Sequence, residues 1–189
     1  MSTYYSTETK DGVRFGDLLV VPATKQHFRE VIEDLRPEDA RELAYATGLS
    51  AVAAAARAFA LSAKRWAVLQ GKRCIALGGA QVYTSHAHVA AVWFFGTPAL
   101  HAVRKEVVRI GLYYTQLLHQ YYPCLMNVLP PWVLKERTGM RRLLQRCGFH
   151  IGEPKPCGPH GRLLHVFMTN KDKLIAMLTQ QGRLADGHT

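Results

Sequence analysis

Three things are scarce in this chain: acidic residues, paired cysteines and long apolar runs. Its 189 residues hold 14 Asp and Glu against 24 Lys and Arg, a formal charge of +10, which suits nucleic acid, an acidic protein or a phosphorylated cofactor as partner. Cys74, Cys124, Cys147 and Cys157 stand without a CxxC pair or small-scaffold spacing. That excludes a disulfide framework and points to reduced thiols in a cytoplasm. No apolar run nears the roughly 18 residues of a membrane span, and MSTYYSTETK lacks the basic-then-apolar layout of a signal peptide. With 48% hydrophobic and 20% charged residues, the chain reads as one globular domain with a single core.

Two chemistries fall away on closer reading. Cys147-x-x-His150 and Cys157-x-x-His160 offer thiolate and imidazole ligands of the kind zinc takes. Cys147, however, ends a helix and His150 opens a strand, so the first pair diverges and no metal is expected. Arg137, Arg141, Arg142, Arg146, Lys155 and Arg162 could form a phosphate-binding face, but no aromatics interleave to stack bases. They read as a solvated face, and nucleic acid is disfavoured as a partner.

Taken in order, residues 1–16 are polar without period and read as a flexible N-terminal arm. DLLVVP, 17–22, is a short buried strand closed by Pro. Thr24 caps a helix over about 25–35, Pro37 opens a second that Gly48 ends, and Ser50 caps the alanine-rich third, SAVAAAARAFALSA. The period then changes to that of strands. RWAVLQ (65–70) and CIALGGAQVYT (74–84) make a hairpin, with Gly78-Gly79 marking a bulge or a close backbone approach. HVAAVWFF (88–95) is apolar throughout and reads as a central strand buried on both faces.

Thr97 and Pro98 open the longest helix, 98–122, whose Leu100, Val103, Val107, Ile110, Tyr114, Leu117 and Tyr121 form a core stripe. LMNVL (125–129) is a short strand before Pro130-Pro131. A helix over about 132–147 stops at Gly148, and two antiparallel strands follow, joined by a turn rich in Pro and Gly. Asn170 caps a C-terminal helix, and 171–189 reads as that helix with a frayed tail.

The stretch RLLQRCGF, then strand, loop and strand, resembles the C-terminal signature of the GNAT acetyltransferase superfamily, whose last helix typically ends in LYEKLGF. The resemblance implies one mixed α/β domain over 17–170. Its central, mostly antiparallel sheet splays between strands 88–95 and 125–129, with helices on both faces. It places acetyl-CoA in that splay and its diphosphate at the start of the long helix, which makes Phe94, Phe95, Gly96, Thr97, Ala99, Leu100 and Asn127 the cofactor-binding residues. An amine is then the acyl acceptor.

The motif is degenerate. Where GNAT enzymes carry Arg/Gln-x-x-Gly-x-Gly/Ala, this chain has one glycine followed by a proline, which removes a donor. Leu144 stands where many have a general-acid Tyr, and Arg137 where they often have Asn. Tyr83, His86, His88, Tyr113, Tyr114 and Asn127 are within reach of such a cleft, but aromatics on a long helix are more often core, and no catalytic residue is assigned.

VPATKQHFREVIEDLRPEDARELAYATGLS, KRWAVLQGKRCIALGGAQV, VWFFGTPAL, YYPCLMNVL and LLQRCGFHIGEPKPCGPHGRLLHVFM together look like the GNAT-like internal virion proteins of podophages and prophages. That resemblance implies a bacterial host cytoplasm, or a virion, as location. Two functions stay open: an N-acyltransferase using acetyl-CoA, and a non-catalytic virion-assembly or host-interaction protein with phage structural or host proteins as partners.

Overall fold

A computed structural model describes residues 6–10, 12–83, 86–157, 160–170 and 172. Five strands, β1 (Thr7–Thr9), β2 (Gly12–Phe15), β3 (Leu18–Pro22), β4 (Lys64–Gln70) and β5 (Arg73–Tyr83), run antiparallel in sequence order. The antiparallel order continues to β6 (His86–Gly96). Here β7 (Cys124–Leu129) joins in parallel, followed by β9 (Arg162–Met168) and, at the far edge, β8 (His150–Cys157). The order of the nine-stranded sheet is β1-β2-β3-β4-β5-β6-β7-β9-β8.

The helices form where local chemistry starts and stops them. Thr24 Oγ1 accepts from His27 N–H at 3.2 Å while Thr24 N–H donates to His27 Nδ1, a reciprocal cap that starts α1 (Lys25–Glu33). Pro37 opens α2 (Pro37–Thr47), and Gly48 at φ 73° closes it. Ser50 caps α3 (Ala51–Leu61). These three cover one face of the sheet, around Val31, Ala55, Phe59, Ala67, Leu77 and Phe95. On the other face lie α4 (Arg104–His119) and α6 (Thr138–Arg146), over Phe15, Leu18, Val20, Ile110, Leu125, Leu144 and Phe167. Each such fully buried side chain contributes about 1.5–3 kcal/mol.

The splay is present as expected. β6 and β7 pair only at Val89–Cys124, Ala90–Leu125 and Ala91–Met126. Beyond these three pairs the strands part.

Several expectations are corrected. Residues 7–15, read as part of a loose arm, form the hairpin of β1 and β2, held by the burial of Phe15. The long helix does not begin at Pro98: Pro98–His101 is a separate 3₁₀ turn and the α-helix starts at Arg104. Its stripe shifts accordingly, with Leu118 buried and Tyr121 53% exposed. The helix expected over 132–147 breaks at Arg137 into α5 (Pro131–Glu136) and α6. At Gly78-Gly79 the structure shows close approach: a Cβ would come within 2.5 Å of the Trp66 and Trp93 indoles. The register shifts lie elsewhere, at Val68/Leu69 and Val82/Tyr83. The expected C-terminal helix falls outside the described residues, apart from its second residue. Among the described residues no single helix is long and apolar enough to cross a membrane.

Candidate functional site

The chemistry collects where β6 and β7 diverge. On β6, Val92 O accepts from Asn127 Nδ2 at 2.5 Å across the apex, and Asn127 Oδ1 accepts from Val128 N–H. Gly96 turns to the same edge, its N–H donating to Asp39 Oδ2 and its C=O accepting from Arg36 N–H, both at 2.9 Å. Strand alternation turns the N–H and C=O of Phe94 to that edge too, where β7 has already moved away. This leaves one amide pair facing the gap.

Gly96 is needed for packing as well as for its bonds. A Cβ there would sit 2.5 Å from Ile75 O and 2.6 Å from a Leu100 methyl. Thr97 is fully buried, its N–H bonded to Ile75 O and its hydroxyl without a partner among the described residues. Phe95 is buried on the α1–α3 face, Leu100 on the α4 face with Ala99 packed beside it, and Phe94 is exposed. Of the seven residues expected to hold a cofactor, Phe94, Gly96 and Asn127 thus present polar groups to the edge of the splay, while Phe95 and Leu100 are core.

Beyond the 3₁₀ turn, α4 begins without a side-chain cap. The first bond into it is Val107 N–H to Val103 O, so the N–H groups of Arg104, Lys105 and Glu106 lack a helical acceptor. The exposed side chains of Arg104 and Lys105 add positive charge at the same end.

A charged network crosses the mouth. Buried Arg36 grips Asp39 through two of its guanidinium nitrogens, Nε to Oδ2 at 2.9 Å and Nη2 to Oδ1 at 2.7 Å. From the break between α5 and α6, Arg137 Nη1 reaches Asp39 Oδ1 at 3.5 Å and Glu42 Oε2 at 3.3 Å. Burial pushes the Glu42 carboxyl up to about 7, against Arg137, which pulls it down, and with Asp39, which lifts it. Burial also lifts Glu38, but its own backbone N–H together with Arg36, His101 and Arg137 outweighs that and holds it below the usual range.

The side chains weighed for catalysis fare differently. Tyr114 stacks on Trp66 at 4.3 Å, and Tyr113 donates to Glu8 at 3.1 Å, so both are committed to packing. The side chains of Tyr83, His86 and His88 lie outside the described residues. Leu144 is buried in the core. Cys147 faces Gly111 of α4, and burial raises its thiol to about 11. All four cysteines are free. Arg137 and Arg162, expected on a solvated basic face, are turned inward: Arg162 donates to the carbonyls of Ala44 and Tyr45. The Arg36–Asp39–Glu42–Arg137 network was not foreseen. Its one sequence signal is the run of charge in RPEDARE, which also fits a helix N-terminus.

No family model matches the chain, and no curated protein matches it. Solved structures do. A GNAT-family acetyltransferase from Bacillus anthracis aligns with a TM-score of 0.56 at 14% identity, over 82% of this chain and 94% of its own. The ribosomal-protein-S18-alanine N-acetyltransferase of Escherichia coli aligns at 0.55 and 9% identity, over 80% and 92%. The aminoglycoside N(6')acetyltransferase of Legionella pneumophila aligns at 0.55 and 9%, over 81% and 91%. The chain therefore has the fold of the GNAT acetyltransferases: one mixed α/β domain with a large, mostly antiparallel sheet.

Proposed function

We propose that this chain is an N-acyltransferase that accepts acetyl-CoA or another acyl-CoA in the splay and transfers the acyl group to an amine. The observation that carries this reading is the splay itself, with the free amide edge of Phe94 along it and the uncapped start of α4 at its end. The polar groups suit such a ligand. An amide edge can pair with the amides of a pantetheine arm, and free helix N–H groups beside Arg104 and Lys105 suit a diphosphate. The thioester, when bound, supplies the activated acyl carbon.

What remains for the protein is positioning and one proton. α2 lies across the mouth, tied to Gly96 at one end and packed on β7 and β9 further along. It carries Glu42, whose carboxyl burial pushes up to about 7; in this reading it takes the proton the attacking amine loses and returns it to the leaving CoA thiolate. The structural neighbours act on an alanine N-terminus and on aminoglycosides by their names. For this chain the acceptor class we propose is a primary amine.

A second reading has its own support. Leu144 is buried where a proton donor often stands, and the glycine-rich diphosphate motif is absent. Both suit a protein that keeps the fold without the chemistry, as the resemblance to phage and prophage virion proteins implies. A thermal-shift titration with acetyl-CoA and CoA at two salt concentrations separates the two. Ligand that binds only the folded state adds about 2.7 kcal/mol at a hundredfold excess over its dissociation constant. A saturable shift that largely survives salt supports the transferase; no shift at millimolar ligand overturns it in favour of an assembly or host-interaction role.

A further inference from the structure

The polar groups of the splay suit an acyl-CoA, but the space between α2 and α5 does not. There the hollow is about 40 Å³, lined by Glu38, Arg41, Trp132, Val133, Glu136 and Arg137. A water takes roughly 30 Å³ and ligand pockets run to about 300–1,000 Å³. A pantetheine arm led from the splay between α2 and α5 would need this space to widen.

The construction of α5 singles it out. It is a six-residue helix between two non-helical points: Pro130, extended at ψ 147°, and Arg137 at φ −111°, ψ 73°. So short a helix does not sustain itself. Of its side chains only Val133 is fully buried, with Trp132 and Leu134 partly buried against the same core. Its other links to α2 lie at the surface: Arg41 pairs with Glu136 at 3.2 Å with both exposed, and stands over the Trp132 ring at 4.5 Å. Tyr45 meets the same ring edge-on at 4.3 Å. The exposed Arg41–Glu136 pair holds weakly; the Tyr45–Trp132 contact, half-buried on both sides, holds more.

The exception is Arg137. Its guanidinium joins Asp39, which itself holds Gly96, so one chain of bonds runs from the end of β6 to the end of the segment that follows β7. Among the described contacts it is the charged link from this segment to a buried partner.

We propose that α5 is a strap that closes the splay in the free protein and swings off α2 to admit the acyl-CoA arm, with Arg137 as its catch. This rests on the acyl-CoA reading given above. Loss of the catch raises the open fraction, and apparent affinity rises with it. The charged groups facing the catch are Arg36, Glu38, Asp39, Arg41 and Glu42 on α2 and its cap, His101 on the 3₁₀ turn, and Glu136 on the strap.

Two measurements test it on the full chain. The first is amide hydrogen exchange without ligand. Residues 131–137 should open faster than β7, and Arg137→Gln should speed them at least tenfold while leaving β6 and β7 unchanged. Exchange over 131–137 as slow as in β7 and unmoved by Arg137→Gln overturns the strap, whatever CoA does. The second is calorimetric titration with CoA. Arg137→Gln should bind several-fold more tightly than the wild type. The pair Arg41→Cys and Glu136→Cys, joined by a short bifunctional thiol crosslinker, should bind at least tenfold more weakly than before crosslinking, with crosslinker-treated wild type as control. Equal affinity with and without the link overturns the strap but spares the transferase. An opening strap with no CoA binding in any form leaves a moving segment that admits something else, and overturns both the acyl-CoA reading and the proposal built on it.

Discussion

Asp39 holds Gly96 across 57 positions of sequence, its Oδ2 accepting the Gly96 N–H at 2.9 Å while Arg36 grips both its oxygens. A buried carboxylate thus ends the central strand, satisfying an amide that β7 has left behind. Because the carboxylate is buried and paired, loss of its charge leaves the buried Arg36 without its buried counter-ion and one amide oxygen to serve both Arg36 and the Gly96 N–H.

Asp39→Asn is therefore expected to cost about 3 kcal/mol or more, the range for breaking a buried ion pair from one side. Urea denaturation measures it. A loss below about 1 kcal/mol would contradict the assignment of Asp39 as the anchor of β6.

Glu42 gives a pH signature of the opposite sign to an ordinary salt-bridged carboxylate. Its folded value, near 7, lies above the usual 4.5, so between these limits the folded state binds more protons than the unfolded one. Its contribution is fully present below about 4.5 and fades as pH rises through 7. Its side chain is 23% exposed, so the span is on the order of 2 kcal/mol. Glu42→Gln should flatten this part of the stability profile from pH 4.5 to 8. Parallel profiles for the two proteins would show that Glu42 titrates normally.

At Gly96 an added methyl has no room, with Ile75 O at 2.5 Å and Leu100 at 2.6 Å from its position. Gly96→Ala should destabilise by about 1–3 kcal/mol as an overpacked site. Its thermal midpoint should fall by several degrees, and any CoA-induced shift should weaken with it. An unchanged midpoint would mean the strand end is free to move.

The start of α4 makes a prediction about charge. Arg104→Gln with Lys105→Gln should weaken CoA about tenfold or more, since hydrogen bonds to charged groups contribute roughly 1.5–3 kcal/mol. Pantetheine, which lacks the diphosphate, should bind the variant and the wild type alike. Equal losses for both ligands would move the phosphate seat elsewhere.

How far the fold was legible follows from where its signals lie. The strands on either side of the splay are short apolar runs bounded by Pro and Gly, and local reading locates them. The β1–β2 hairpin escaped because TET and GVRF carry one buried side chain, Phe15, between them. Pro98 misled differently: it suits a first helical position but here opens a 3₁₀ turn, six residues ahead of the first N–H group of α4. The charged network left only the charge run in RPEDARE, which a helix N-terminus explains as well. Arg137 and Asp39 stand 98 positions apart, and no local pattern records such a partnership. Arg137 looked like a surface cation because its periodicity carries no information about α2.

The parallel seam of three residue pairs has a mechanical meaning. It is the spine on which two leaves are bound, β1 to β6 on one side and β7, β9 and β8 on the other. Beyond so short a spine the leaves share no ladder among the described residues, and what binds them there is the core beneath both and the bond from Asn127 to Val92.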